Sequence, residues 1–77
     1  MISSGRKPVS FPPYMGKAGV APYKGNLEVA FRADIDLDYF PAGKLGSIDG
    51  APVRVISAHH SELIAGCIVL VVEEVGP

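Results

Sequence analysis

Three aspartates at alternate positions, Asp34, Asp36 and Asp38, form the part of the sequence closest to a metal-binding motif. The calcium loop of an EF-hand places carboxylates at alternate positions, but it also needs glycine at its sixth position and a carboxylate at its twelfth. Tyr39 and Leu45 occupy those two positions, so no calcium loop is predicted. In a strand, alternate side chains share one face about 7 Å apart. The aspartates are therefore predicted to form a charged outer face that resists edge pairing and receives a basic partner segment.

His59, His60 and Glu62 are the other residues whose chemistry suits metal binding or a pH switch. Neighbouring residues of an extended chain point to opposite sides, so the two histidines are not expected to reach one ion. Cys67 is the single cysteine, which excludes an intramolecular disulfide and a zinc site with two thiolates. Its apolar neighbours predict a buried, inert thiol. We expect no metal, no cofactor and no catalytic residue.

Two lysines are bracketed by glycines, in the segments 16–19 and 43–46. Neither segment contains the G-x-x-x-x-G-K-[ST] pattern whose backbone N–H groups cradle phosphates. We therefore expect no nucleotide site, and the sequence as a whole predicts a protein that is not an enzyme.

Length and composition restrict the class of protein further. The 77 residues allow one small domain, and an apolar content of 48% is typical of a folded chain. No apolar segment follows the early basic residues, so no secretory signal is expected. The apolar run from Leu63 to Val72 is about half the length that spans a bilayer. We expect a soluble protein of a reducing compartment or a virion, with no membrane partner.

Residues 1–25 are predicted to form an extended basic arm outside the folded body. About one residue in three in this segment is proline or glycine, and the apolar residues follow neither the helical nor the strand period. The adjacent Pro12 and Pro13 favour polyproline II geometry. The segment has a net charge of +4, because it contains no acid and four cations: Arg6, Lys7, Lys17 and Lys24.

Residues 26–77 are predicted to form a small acidic β domain. Its net charge is −5, because it contains three cations and all eight acidic residues of the chain. Strict alternation of apolar and polar residues predicts one long strand over Leu27–Tyr39. Asp49-Gly50 predicts a tight two-residue hairpin. The β-branched residues of Leu63–Val75 favour a final strand covered on both faces, and a helix is the alternative.

The predicted fold is mainly β, with an antiparallel sheet of three to five strands or a partly open barrel. A body of about 50 residues buries little more than half of its unfolded surface, and it has no disulfide to support it. Open sheet edges invite pairing with other chains. We therefore expect the sheet to be completed by its own arm, by a neighbour's arm or by a larger partner.

These expectations lead to a non-enzymatic structural or interaction protein that docks through its arm onto copies of itself or another protein. A virion capsid decoration or cement protein is the architectural analogy. In this mechanism aromatic side chains fill pockets on the neighbour, and complementary charges set the register. The alternative is a nucleic-acid-binding β-barrel module that uses the basic aromatic arm. The residues predicted to contact the partner are Arg6, Lys7, Phe11, Tyr14, Lys17, Tyr23, Lys24, Asp34, Asp36 and Asp38.

Overall fold

A computed structural model describes residues 4–76 of the chain, and strands make up most of this part. The single helix among these residues is a 3-10 turn at Leu37–Tyr39, so none of the described helical structure is long enough to cross a membrane. The six strands are β1 Gly5–Phe11, β2 Tyr14–Tyr23, β3 Asn26–Arg32, β4 Leu45–Ile48, β5 Ala51–His60 and β6 Cys67–Glu74.

The strands close into an antiparallel barrel in the order β1-β2-β3-β6-β5-β4, and β4 pairs back onto β1. Closure satisfies the sheet edges that an open sheet would expose. The mainly β, antiparallel class predicted from the sequence is confirmed. The expected three to five strands and the partly open barrel are corrected to six strands and full closure.

Most of the predicted N-terminal arm forms two strands of the barrel, which corrects the expectation of an extended arm. β1 and β2 pair from Gly5↔Val20 to Phe11↔Tyr14, and Pro12 and Pro13 form the turn between them. Pro12 and Pro13 are tolerated in the turn, and Pro22 lies next to the end of β2. Pro8 lies in the middle of β1, one residue beyond the last pair that β1 makes with β4. The first three residues of the predicted arm lie outside the described part of the chain.

The predicted long strand Leu27–Tyr39 is shorter than expected, because β3 ends at Arg32. Arg32 pairs with Cys67, the first residue of β6, so the chain beyond it has no strand partner on that side. Residues 33–36 continue as an extended segment into the 3-10 turn. The side-chain alternation nevertheless persists, with the three aspartates exposed and three apolar residues packed against the core: Ala33, Ile35 and Leu37.

Two other predictions are confirmed. Asp49 and Gly50 link β4 to β5 with positive φ values of 52° and 84°, as a type I′ hairpin turn requires. The last apolar segment is a strand, β6, and every residue from Cys67 to Val72 is buried. This strand is therefore covered on both faces.

Residues 33–44 connect β3 to β4, which lie on opposite sides of the ring of strands. The connection must therefore cross one end of the barrel, which we call the crossover end. Phe40 from this segment is 2% exposed, and its ring meets Phe31 edge-on at 5.7 Å. The core thus combines inward side chains of all six strands with an apolar plug supplied by the crossover.

Gly46 is required by the packing between β4 and β1. A Cβ atom at this position would lie 2.6 Å from the carbonyl oxygen of Ser10 and would overlap the ring of Phe11. Phe11 is fully buried, so its ring has no free space into which to move.

We predict that Gly46→Ala lowers the free energy of unfolding by about 1–3 kcal/mol, because it overpacks the core against Phe11. Gly19→Ala is the matched control, since its Cβ would make only an ordinary contact, 3.9 Å from the Ala30 carbonyl oxygen. Urea denaturation followed by circular dichroism measures both. Equal losses for the two variants would contradict the packing account.

We predict that Phe40→Ala lowers the free energy of unfolding by about 3–5 kcal/mol, because it empties the apolar plug of the barrel. Tyr39→Ala, its neighbour with 57% exposure, is expected to change stability by less than about 1 kcal/mol. Thermal denaturation compares them, and Phe40→Leu gives a smaller loss in the same direction if the alanine variant does not fold. Unchanged stability in Phe40→Leu and Phe40→Ala would show that the crossover does not plug the barrel.

Candidate functional site

The crossover end carries most of the large apolar side chains that the described residues expose. Two of the seven lie elsewhere, Tyr23 and Ile56. Scattered apolar residues are normal on a protein surface, but their concentration at one place marks an interaction site. The five at or beside this end are Met15 at the start of β2, Tyr39 on the 3-10 turn, Leu45 at the start of β4, and Leu63 and Ile64 between β5 and β6.

Hydrogen bonds hold the backbone of the loop between β5 and β6. The Ser61 hydroxyl oxygen accepts hydrogen bonds from the backbone N–H groups of Leu63 and Ile64, both at 3.1 Å. The backbone N–H of Ser61 donates to the Cys67 carbonyl at 2.9 Å. Leu63 is 95% exposed on this ordered turn. Because the loop is internally bonded, a partner would order little additional chain on contacting it.

The same end is acidic. Asp34, Asp36, Asp38 and Glu62 are all exposed there, and we call the first three the aspartate row. The Asp36 carboxylate accepts a hydrogen bond from the Asp38 N–H at 2.9 Å and so starts the 3-10 turn. The predicted exposure of the row is confirmed, although its residues lie on the crossover and not on a strand.

The two histidines line different hollows. His59 borders one with Glu28 and Val69, whereas His60 borders another, of about 470 Å³, with Asp34 and Asp36. Among residues 4–76, no three histidine, cysteine or acidic side chains come together in a way that could hold a metal ion.

A second surface adjoins the crossover end on the outer side of β1, β2 and β3. A groove of about 430 Å³ is bordered by three cations, and we call it the cationic groove. Its floor is low because Gly19 pairs with Ala30, two residues with little or no side chain. No carboxylate lines it, and Tyr14, Phe31, Ile64 and Cys67 supply its apolar lining. Its three cations are Arg6, Lys17 and Arg32.

The strand register brings these cations together. Arg6 pairs with Gly19 across β1 and β2. Lys17 lies two residues from Gly19 on β2, and Arg32 lies two residues from Ala30 on β3, both toward the crossover end. Within the described part of the chain the only ion pair joins Arg54 to Glu73 at 3.0 Å. The positive charge of the groove is therefore not compensated by a close carboxylate.

Sequence reasoning identified two of the three groove cations. Arg6 and Lys17 were predicted to contact a partner, and Arg32 was missed because its position beside them depends on the pairing of β2 with β3. Lys7 and Lys24 do not join this cluster. Lys7 is half-buried opposite Ala18, and the Lys24 ammonium lies 5.3 Å from the centre of the Tyr23 ring.

The predicted aromatic anchors are largely occupied within the chain. Phe11 is fully buried in the core, so the prediction that it fills a partner's pocket is wrong. The Tyr14 ring stacks on Phe31 with a centroid distance of 4.0 Å, and its hydroxyl donates to the Lys17 carbonyl at 2.6 Å. Tyr23 alone among the three is exposed, at 39%. The rings of Phe11 and Tyr14 lie on the same, core-facing side because these two residues pair at the β1–β2 turn. The sequence pattern does not reveal this register.

Comparison with known proteins gives no relative from which a role could be transferred. The sequence matches no protein-family model, and neither the curated proteins nor the solved structures give a match.

Proposed function

We propose that this chain is a non-enzymatic structural subunit that joins a larger assembly by docking its crossover end against a protein partner. The observation that carries the proposal is the concentration of five of the seven exposed large apolar side chains at this end of the barrel. Burying them against a partner removes apolar surface from water, which is the main driving force of protein association.

The polar residues around these side chains favour a protein as the partner. Protein interfaces combine an apolar centre with a polar rim, and here exposed carboxylates lie at the same end of the barrel as the apolar residues. The same carboxylates repel the phosphates of a nucleic acid. Asp34, Asp38 and Glu62 are the rim carboxylates in this arrangement.

The proposed docking surface is the crossover end of the barrel, whereas the sequence predicted docking through an N-terminal arm. A preformed surface loses less conformational entropy on binding than an extended arm that must be ordered. A protein that decorates or cements a virion shell is one example of such a subunit, and this part of the proposal is an analogy of architecture.

The alternative, a nucleic-acid-binding module, depended on rings that stack on bases and cations that contact phosphates. Phe11 is fully buried and is not available, whereas the half-buried Tyr14 ring stacks on Phe31 and also lines the cationic groove. The cationic groove is the feature that still favours it.

We predict that a photo-crosslinking amino acid in place of Leu63 gives a discrete covalent product with a partner in the native host cells. The same substitution at Tyr23, which is exposed at the opposite end of the barrel, should give none. Gel electrophoresis and mass spectrometry of the purified product measure its yield and mass.

A specificity control uses polar substitutions at exposed apolar positions. Met15→Ser lies at the crossover end and should reduce the product from position 63 severalfold, because it removes part of the apolar surface. Ile56→Ser lies on β5 and should leave the yield unchanged. No product from position 63, or equal products from positions 63 and 23, would contradict the proposed function.

A further inference from the structure

We propose that the partner of the crossover end is a second copy of this chain, whose cationic groove receives the aspartate row. This inference rests on the proposed function and adds the identity of the partner. It joins three exposed carboxylates on one copy to three cations on the other.

The chemistry of the groove defines what it can bind. Three cations border a shallow floor of small residues, and no carboxylate lines it. An extended acidic segment suits this site, because the low floor allows a chain to approach while the cations meet its carboxylates on either side. The apolar lining, which includes Ile64 and Cys67, also offers contact to a partner's apolar atoms.

The first part of the aspartate row is such a segment, while Asp38 lies in the 3-10 turn that follows. Asp36 has extended backbone angles, φ −66° and ψ 135°, and carboxylates at alternate extended positions, such as Asp34 and Asp36, are about 7 Å apart. Arg6 and Lys17 are diagonal neighbours on adjacent strands, a relation that also separates residues by about 7–8 Å. The spacing of Asp34 and Asp36 therefore matches that of Arg6 and Lys17.

Charge balance within one molecule also favours a second copy. The chain has a formal net charge of −1, with three of its seven cations at the cationic groove and three of its eight carboxylates in the aspartate row. Arg32 and Asp34 border a common hollow, but within residues 4–76 the only ion pair is Arg54–Glu73. Association of the groove of one copy with the row of the next would bring these opposite charges together. Such pairs set register and on-rate, while the apolar side chains supply affinity.

The two surfaces differ in position, one on the side of the barrel and one at its end. Their contact is therefore heterologous, so a docked pair of copies leaves one groove and one row unused. Contacts of this kind build rings or open filaments. This geometry suits a subunit that functions as one copy among many.

Charge reversal tests the pairing. Arg6→Glu with Lys17→Glu reverses the groove, and Arg32 is left unchanged because it also borders Asp34. Asp34→Lys with Asp38→Lys reverses the row, and Asp36 is retained because its carboxylate supports the 3-10 turn. Lys7→Glu with Lys24→Glu is the matched control, since neither residue lines the groove.

Sedimentation velocity and native mass spectrometry measure the assembly. We expect the natural chain to associate at ~20 mM salt and to dissociate at ~500 mM, where charges attract each other over only a few ångströms. Each reversed variant should associate at least about tenfold more weakly, because like charges then face each other. The chain with all four changes, and a mixture of the two variants, should associate as the natural chain does. Damage to the fold cannot produce that restoration.

Several results would overturn the inference. These are a natural chain that stays monomeric at every salt concentration, association unaffected by either reversal, or a failure of the four-change chain to recover. Salt-dependent binding of an oligothymidylate by the monomer, lost on reversing the groove, would instead assign the groove to nucleic acid.

The crosslink at position 63 separates this inference from the proposed function. A product of about twice the mass of the 8.1 kDa chain supports both. A product of any other mass overturns the second copy as partner and leaves the proposed function standing, whereas the absence of a product contradicts both.

Discussion

Closing six strands into a ring forces the connection between β3 and β4 across one end of the barrel, because these strands lie on opposite sides. The crossover must turn apolar side chains into the barrel, and Phe40 is its most buried member. Since side chains alternate along residues 33–38, the inward turn of Ile35 and Leu37 directs the aspartates outward. The requirement to plug the barrel thus also produces the acidic surface at the crossover end.

The same register determines the neighbouring groove. Gly19 and Ala30 pair on the outer side of β2 and β3, and their small size leaves space between the longer cationic side chains. Ile64, held by the ordered loop after β5, lies between this groove and the exposed apolar residues of the crossover end. The two surfaces are therefore close neighbours on the molecule, although they carry opposite charge.

Local patterns in the sequence predicted the features that local physics controls. Asp49-Gly50 specifies its own turn, and the β-branched residues of β6 favour a strand wherever they are placed. The strands β1 and β2 were missed because prolines and glycines hide their period, and because Ala18 is too small to mark a core position by itself. The end of β3 and the place of Arg32 depend on pairing with distant segments. No pattern within one segment contains that information.

Amide chemical shifts measured by NMR across a concentration series test the contact between the aspartate row and the cationic groove, because they report on each residue of the unmodified chain. Dilution from about 1 mM to about 20 μM, a range in which weak contacts dissociate, is expected to change the shifts of the 34–38 segment and Leu63 together with those of Arg6, Lys17 and Gly19. Shifts that remain constant, or that change only at the Tyr23–Asn26 turn of the opposite end, would contradict that contact.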